Sequence, residues 1–374
     1  MAEWRAPDRL MSDTAAGSPP DARDGTQFRC AQCGSRLVYA PETANLRCVS
    51  CGSAVAIAAS DAPVEERDLE AALASGLATE PTVEKLTVRC SSCGAQSTLD
   101  TAVVADHCAF CGSAFVATAS SQRSLRPHWL LPFRIGLEDA RRRFVAWVHS
   151  LRFAPNRLKK DARAGNLQGM YVPYWTFDAA TSSQYTGQRG RNRTVTETGP
   201  DGKPRSRTVT DWTRVSGTLG ETFDDVLVVA SRSLPEGRAA ALSPWDLEKL
   251  VPYRDEFLSG FRAETYQVPL PEAYERAKVT MAAAIQELVR RRIGGDDQRI
   301  DRVVTTYSAT SFKHVLLPIW ISSYRFGNKA YRFLVNARTG EVQGDRPYSL
   351  VKIALAVIAA LLVVAAIAWI AERY

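Results

Sequence analysis

Eight cysteines form four CxxC pairs, and their spacing is the clearest chemical signal in the chain. In each set of four, fourteen residues separate the second cysteine from the third. Two CxxC turns at this spacing can place four thiolates around one tetrahedral ion. A redox dithiol needs only one CxxC on a βαβ unit, so we favour zinc over redox chemistry or iron. We therefore predict two structural zinc ions, with these ligands: Cys30, Cys33, Cys48 and Cys51 in the first set, and Cys90, Cys93, Cys108 and Cys111 in the second.

A glycine follows the second cysteine of every pair, where it can adopt the positive φ that a tight metal-binding turn requires. Four cysteines close the coordination sphere, so His107, next to Cys108, is not expected to be a ligand. A closed site leaves no position for metal catalysis. A ribbon of about 30 residues has too little core to fold alone, so we expect the ion to stabilise its fold.

The rest of the sequence shows no nucleotide-binding loop, dinucleotide fingerprint, HExxH or GxSxG motif. The isolated histidines His149 and His314 have no visible catalytic partner, and the pairs Asp224–Asp225 and Asp296–Asp297 fit strand and helix boundaries better than acid–base roles. We therefore expect that the protein is not an enzyme and name no catalytic residue. An enzyme whose site is assembled from scattered residues is the remaining alternative.

Basic residues cluster in a segment whose Thr and Val alternate around a GPDG turn, a pattern typical of a β-hairpin. With a net charge of +7, such a hairpin could contact the phosphates of nucleic acid or of anionic lipid. A solvated ribbon that protects a sheet edge is the simpler interpretation. The candidate phosphate-contacting residues are Arg189, Arg191, Arg193, Lys203, Arg205 and Arg207.

The elements between these motifs predict a multidomain protein in which two zinc ribbons, each with four cysteine ligands, precede an α+β body. Apolar residues recur at helical spacing from Leu137 to Phe153, and a longer helix from Leu270 should end at Gly294 and Gly295. A short helix over "SPWDLEKLV" (243–251) and strand-like segments make up the remainder of the body. The predicted divisions are a disordered leader (1–25), ribbon 1 (26–57), a linker with a short helix (58–85), ribbon 2 (86–118), the body (119–348), a transmembrane helix (349–371) and a tail (372–374).

Nineteen residues without charge lie near the C-terminus, from Ile353 to Ala371, and they are long enough to span most of a hydrocarbon core of about 30 Å. A buried core helix is the alternative, although such helices rarely lack a polar face. Basic residues from Lys329 to Lys352 precede the span, whereas only Arg373 follows it. The positive-inside rule therefore places the N-terminal part in the cytoplasm, and no apolar signal segment opens the chain. We expect a tail-anchored protein of the cytoplasmic membrane, whose 349–371 segment contacts lipid.

Nearly the whole chain after residue 25 resembles a family of uncharacterised bacterial twin zinc-ribbon proteins with a C-terminal transmembrane helix. The resemblance rests on the paired CxxCG ribbons and on these segments: "LLPFRI", "YVPYWTFD", "DWTRVSG", "SPWDLEKLVPY", "FLSGFRAETY", "GDDQRI", "LLPIWISSYRF" and "VNARTGEVQGDRPYS". It implies two ribbons and a membrane anchor. Some members are labelled primosomal protein N-prime, and that label implies a replication helicase.

These observations favour an adaptor that is not an enzyme, whose ribbons bind a protein partner at the cytoplasmic face of the membrane. The alternative is a nucleic-acid-binding protein, linked to replication or transcription, that uses the ribbons and the basic hairpin.

Overall fold

The computed structural model describes residues 28–58, 62–75, 82–98, 105–116, 120–156, 167–198, 200, 204–326, 329–345 and 348–373. The predicted leader and Lys203 lie outside these residues, as does most of the GPDG turn. Within them, two small cysteine-containing units precede a large, mostly β body and a C-terminal apolar helix, so the predicted fold class is confirmed.

Ribbon 1 is a three-stranded antiparallel sheet. Strands β1 (Leu37–Ala40), β2 (Asn45–Cys48) and β3 (Ala54–Val55) follow one another in space as in sequence. The chain then pairs β4 (Arg67–Asp68) with the body and forms helix α1 (Leu69–Ala74), whose N-terminus is capped by the Asp68 carboxylate, 2.7 Å from Ala71 N.

Ribbon 2 consists of a three-stranded sheet and a short hairpin. Strand β5 (Thr82–Arg89) pairs with β6 (Gln96–Thr98) on one side and with β9 (Ser120–Leu125) on the other. The hairpin contains β7 (Ala105–His107) and β8 (Ala114–Val116).

Three very long antiparallel strands form the centre of the body, in the order β12–β11–β15. Their bounds are β11 (Gln168–Thr198), β12 (Pro204–Val229) and β15 (Asp297–Phe326). Shorter strands extend the sheet near the ribbons: β10 (Trp129–Leu130), β13 (Val251–Pro252), β14 (Arg262–Ala263), β16 (Lys329–Asn336) and β17 (Val342–Gly344).

The predicted hairpin is confirmed as the far end of β11 and β12, where Thr198 pairs with Pro204. Strand β15 pairs with β11 only as far as Gly190, opposite Asp297. Residues 191–198 and 204–211 therefore continue as two strands alone, about 26 Å long at 3.3 Å per residue. We call this segment the two-stranded projection.

Helices cover the body sheet. Helix α2 (Leu137–Ser150) packs Phe144 flat against Phe333, with ring centroids 3.7 Å apart. Helix α3 (Glu236–Ala241) is short, and two 3-10 turns follow at Leu247–Lys249 and Asp255–Leu258. Helix α4 (Leu270–Ile293) lies on the long strands through a buried stripe at helical spacing: Leu270, Ala273, Ala277, Met281, Ile285, Val289 and Ile293.

Helix α4 ends where the sequence predicts, because Gly294 and Gly295 take positive φ values of 67° and 83°. The last helix, α5 (Leu350–Arg373), differs from α4 in having no buried residue. It is long and apolar enough to cross a membrane, and the share of its most apolar window that packs inside the protein is 0%. The core-helix alternative therefore does not apply to α5.

Each of the two ribbons packs against the body through a shared hydrophobic cluster. Cysteines 30 and 48 belong to the same hydrophobic cluster as Phe133 and Tyr171 of the body, and cysteines 90 and 108 belong to a second cluster with Met170. The body segment 257–264 contacts both ribbons. Gly260 brings its backbone against ribbon 1, where an added Cβ would lie 3.1 Å from Val38, and Ala263 N lies 3.2 Å from Thr98 Oγ1 of ribbon 2.

Candidate metal centres

The first cysteine cluster is held by two matching backbone turns in ribbon 1. In each turn the glycine N–H donates to the carbonyl of the first cysteine: Gly34 N to Cys30 O at 2.8 Å, and Gly52 N to Cys48 O at 3.2 Å. The glycines have φ values of 72° and 74°, as the sequence predicts. The turns direct all four sulfur atoms toward one point. Cys30 Sγ, for example, lies 3.6 Å from Cys51 Sγ.

The second cysteine cluster, in ribbon 2, has the same turn geometry. Gly94 N and Gly112 N each donate to a cysteine carbonyl, of Cys90 and of Cys108, at 2.8 Å. Cys90 Sγ lies 3.7 Å from Cys111 Sγ, and Cys93 Sγ lies 3.6 Å from Cys108 Sγ. In both ribbons the first cysteine of each CxxC is buried and the second is more exposed. Each cluster therefore lies at the boundary between the ribbon and solvent.

The dimensions of both clusters fit a tetrahedral thiolate site. Zinc–sulfur bonds of about 2.3 Å in a tetrahedron separate the sulfur atoms by about 3.8 Å. The four ligand atoms of each cluster all lie within 4.8 Å of one another, and no cysteine in the described part of the chain forms a disulfide. Both four-cysteine clusters could hold a metal ion, and four thiolates are a donor set consistent with zinc.

A serine next to each cluster favours the thiolate form. In ribbon 1 the Ser53 hydroxyl lies 3.1 Å from Cys30 Sγ and 3.2 Å from Cys51 Sγ. Its hydrogen bond is the main reason that the pKa of Cys30 is lowered to about 6. In ribbon 2 burial alone would raise the pKa of Cys111, but hydrogen bonds from Ser113 outweigh it and the pKa is lowered to about 7. Such contacts favour the deprotonated sulfur that a metal requires.

His107 is exposed and lies outside the four-sulfur cluster of ribbon 2. His314 is buried in β15 against Trp175, with ring centroids 4.5 Å apart. Burial lowers its pKa to about 3, so this imidazole is neutral at physiological pH. His149 is exposed at the C-terminal end of α2, where a basic side chain complements the helix dipole.

The basic hairpin residues are largely engaged within the protein. Arg189 Nε donates to Ile293 O, the last residue of α4, at 2.5 Å. Arg193 and Arg207 form ion pairs with Asp211 and Glu197, at 2.6 and 3.1 Å. The candidates that the structure describes therefore do not form an unopposed cationic surface. Asp296 has a structural role here, since its Oδ2 accepts from Asn192 N at 2.7 Å.

An ion cluster in the long sheet was not predicted from the sequence. Lys313 is 3% exposed, and its Nζ contacts three carboxylates: Glu66 at 2.9 Å, Asp178 at 3.4 Å and Asp225 at 2.8 Å. Glu66, Asp178 and Asp224 also lie close enough to bind a cation, but the Lys313 ammonium already supplies the positive charge. The cluster fastens the linker strand β4 to the body. A buried lysine within an apolar strand was the available signal, because such a lysine requires carboxylate partners.

The pKa values follow from this arrangement. Burial raises the pKa of Asp178 to about 6 despite the nearby lysine. Burial alone would lower the pKa of Lys313, but its hydrogen bonds to Asp225 and Glu66 outweigh burial, so its pKa is raised. Lys313 therefore stays charged throughout the physiological range.

Glu264, in the body segment 257–264 that contacts both ribbons, is a second buried carboxyl. It is 3% exposed, and its Oε1 accepts from Ser233 Oγ at 2.5 Å and from Gln267 Nε2 at 3.0 Å. Burial raises the pKa of Glu264 to about 7, above its ordinary value of 4.5. The charged form is therefore disfavoured in the folded protein.

We expect this carboxyl to make the protein less stable as pH rises. Glu264 loses its proton near pH 4.5 in the unfolded chain and near pH 7 in the folded protein. Its contribution to the free energy of unfolding is therefore fully present below pH 4.5 and is lost as the pH rises through 7. The loss at pH 8 should reach up to about 3 kcal/mol. Glu264→Gln should remove this pH dependence in thermal unfolding of the detergent-solubilised chain. The exposed Glu275→Gln is the control, and a Glu264→Gln curve parallel to wild type would contradict the assignment.

The fold and the clusters define a class: a protein with two four-cysteine clusters, a β-rich body and one apolar helix of membrane length. The chain is similar to a protein of Bacillus subtilis (strain 168) described as "Uncharacterized protein YdjG", with 26% identity over 245 residues. The match covers 65% of this chain and 70% of the relative. No protein-family model and no solved structure matches the chain, and the primosomal label finds no support in these comparisons.

Proposed function

We propose that this protein is a membrane-anchored adaptor in which two zinc ribbons and the body together present a binding surface for a protein partner. The ions have structural roles, and the protein is not an enzyme. Helix α5 spans the cytoplasmic membrane, with the ribbons in the cytoplasm, where reducing conditions keep thiolates available to the metal. The positive-inside bias of the residues before α5 supports this orientation.

A cleft between ribbon 1 and the body carries this proposal. Its volume is about 940 Å³, and its wall combines apolar residues, three arginines and Glu42. Ribbon 1 contributes Arg36 and Arg47, and the body segment 257–264 contributes Arg262. The aromatic part of the wall consists of Phe261 and Trp320. Aromatic residues and arginines are the side chains that contribute most at protein interfaces.

Ribbon 1 also exposes two apolar side chains, one of which lines this cleft. Val49, between the cysteines of the second CxxC pair, lines the cleft and is 62% exposed. Val55, in the third strand of ribbon 1, is 44% exposed. The metal would hold Val49 on a rigid turn, which lowers the entropy lost when a partner covers it.

We expect Arg47→Glu to weaken partner binding while Arg29→Glu does not. Both arginines are exposed on ribbon 1, but only Arg47 lines the cleft. The measurement is a quantitative pull-down of the full chain from detergent-solubilised membranes of the source cells. A protein that is retained by wild type and Arg29→Glu, and reduced at least tenfold with Arg47→Glu, supports the adaptor proposal. Equal capture by all three proteins argues against the cleft.

The alternative, nucleic-acid binding, draws its support from the arginines of the two-stranded projection and its base. If they contact phosphates, affinity should fall steeply with salt, by a log–log slope of about 0.7 to 0.9 per contact. We expect instead that the full chain in detergent binds DNA no tighter than about 10 μM at physiological salt, within the non-specific range. The intramolecular ion pairs of Arg193 and Arg207 support this expectation.

The test compares wild type with a chain in which five arginines become serine: Arg189, Arg191, Arg193, Arg205 and Arg207. Sub-micromolar binding by wild type that is lost in this variant would replace the adaptor proposal with nucleic-acid binding. Zinc content and unfolding temperature are measured on both proteins, because Arg189 contacts the end of α4.

A further inference from the structure

The start of the membrane-length helix is hydrogen-bonded to the body. Ser349 N, directly before α5, donates to Phe153 O at 2.8 Å. In the first turn of α5, Lys352 Nζ donates to Ala154 O at 2.7 Å and to Asn156 Oδ1 at 2.8 Å. Three hydrogen bonds therefore join the start of the helix to residues 153–156 of the body.

Residues 153–156 are themselves fixed to the body core. Two residues separate them from the end of α2, and Val148, Leu151 and Ala154 are buried in the cluster that contains Phe333. Ala154 N also donates to Leu151 O, which continues the backbone hydrogen bonding past the end of α2. The start of α5 is consequently attached to a packed part of the body. These hydrogen bonds keep the body close to the first turn of α5.

The side chains around this junction suit a membrane surface. Phe153 is 41% exposed and Tyr348 is 55% exposed, and each adjoins a residue of the junction. Arg152 is exposed beside Phe153. Aromatic rings are enriched where the hydrocarbon core meets the headgroups, and arginine can bind lipid phosphates.

We propose that Arg152, Phe153, Tyr348 and Lys352 form a lipid-binding collar that holds the body directly on the phospholipid headgroup layer. The occupant is the headgroup and glycerol region of the bilayer, because this surface is continuous with the first turn of an apolar helix that has no buried residue. The inference rests on the proposed insertion of α5. It adds that the body lies on the membrane in one orientation, with the collar against lipid.

The test uses the full chain in nanodiscs that contain a phospholipid with a photoactivatable diazirine near its headgroup. Mass spectrometry then locates the labelled residues. We expect labels on residues 152–156 and 348–352, and none on strand residues 204–211 of the two-stranded projection. Labelled α5 with unlabelled residues 152–156 and 348 would overturn the collar. If the chain does not associate with nanodiscs and α5 is unlabelled, the proposed membrane insertion fails instead, so the two failures are distinguishable.

A variant tests the attachment itself. Lys352→Met keeps the length of the side chain and removes two hydrogen bonds to the body. We expect labelling of residues 152–156 to fall at least threefold while α5 remains labelled. Lys278→Met, on α4, is the control and should label as wild type does. Unchanged labelling of residues 152–156 in Lys352→Met would show that this lysine does not hold the body against lipid.

Discussion

Replacing Cys33 with serine is expected to lower the zinc content of the full chain from two ions to one. The side chain supplies one of four sulfurs in the ribbon 1 cluster, with its Sγ 3.4 Å from Cys48 Sγ, and a neutral hydroxyl is a poor substitute for a thiolate ligand. The ribbon 2 cluster has its own four sulfurs and should keep its ion. Elemental analysis of the purified protein, with a count of reactive thiols, measures both sites.

Loss of the ion should also weaken the contacts between ribbon 1 and the body. Tyr39 of ribbon 1 donates its hydroxyl proton to Phe133 O at 3.2 Å, and its ring lies 5.4 Å from that of Phe257. Without the proposed ion, residues 28–58 should become sensitive to protease, because a structural metal would contribute much of the ribbon's folding free energy. Cys93→Ser should instead deplete ribbon 2, and the exposed Ser50→Ala should retain two ions. A wild-type chain with eight reactive thiols and no zinc would contradict both sites.

Replacing Lys313 with methionine should lower the free energy of unfolding by about 3 to 5 kcal/mol, the usual result of leaving buried charges unpaired. The side chain fits the space, so the loss comes from the carboxylates of Glu66, Asp178 and Asp225, which would face one another without a cation. Denaturant unfolding in detergent measures the change.

A second substitution separates charge from packing. Asp178→Asn in the Lys313→Met background should recover part of the lost stability, because it removes the most buried of the three carboxylates, whose side chain is 13% exposed. Lys278→Met is the matched control. Its ion pair with Glu275 lies on the helix surface, where such pairs contribute less than about 0.5 kcal/mol. Equal destabilisation by both lysine substitutions would show that the buried cluster is not important for stability.

Short-range patterns were the part of this molecule that the sequence could predict. A CxxCG turn requires local hydrogen bonds and a positive φ at glycine, so the four turns follow from short local segments. The end of α4 at Gly294 and the length of α5 depend equally on nearby residues. The basic hairpin was also predictable, because alternating Thr and Val around a turn specify two paired strands.

Contacts between distant parts of the chain could not be predicted in this way. Lys313 meets Glu66 across 247 positions, and the segment 257–264 reaches both ribbons, because the long strands bring these residues together. The cleft beside ribbon 1 and the attachment of α5 to residues 153–156 arise similarly. The sequence by itself determined the candidate metal ligands, the basic hairpin and the apolar helix, since each depends on residue type and local spacing. Only the tertiary structure decided which surfaces these elements share, because packing depends on the simultaneous fit of side chains from remote segments.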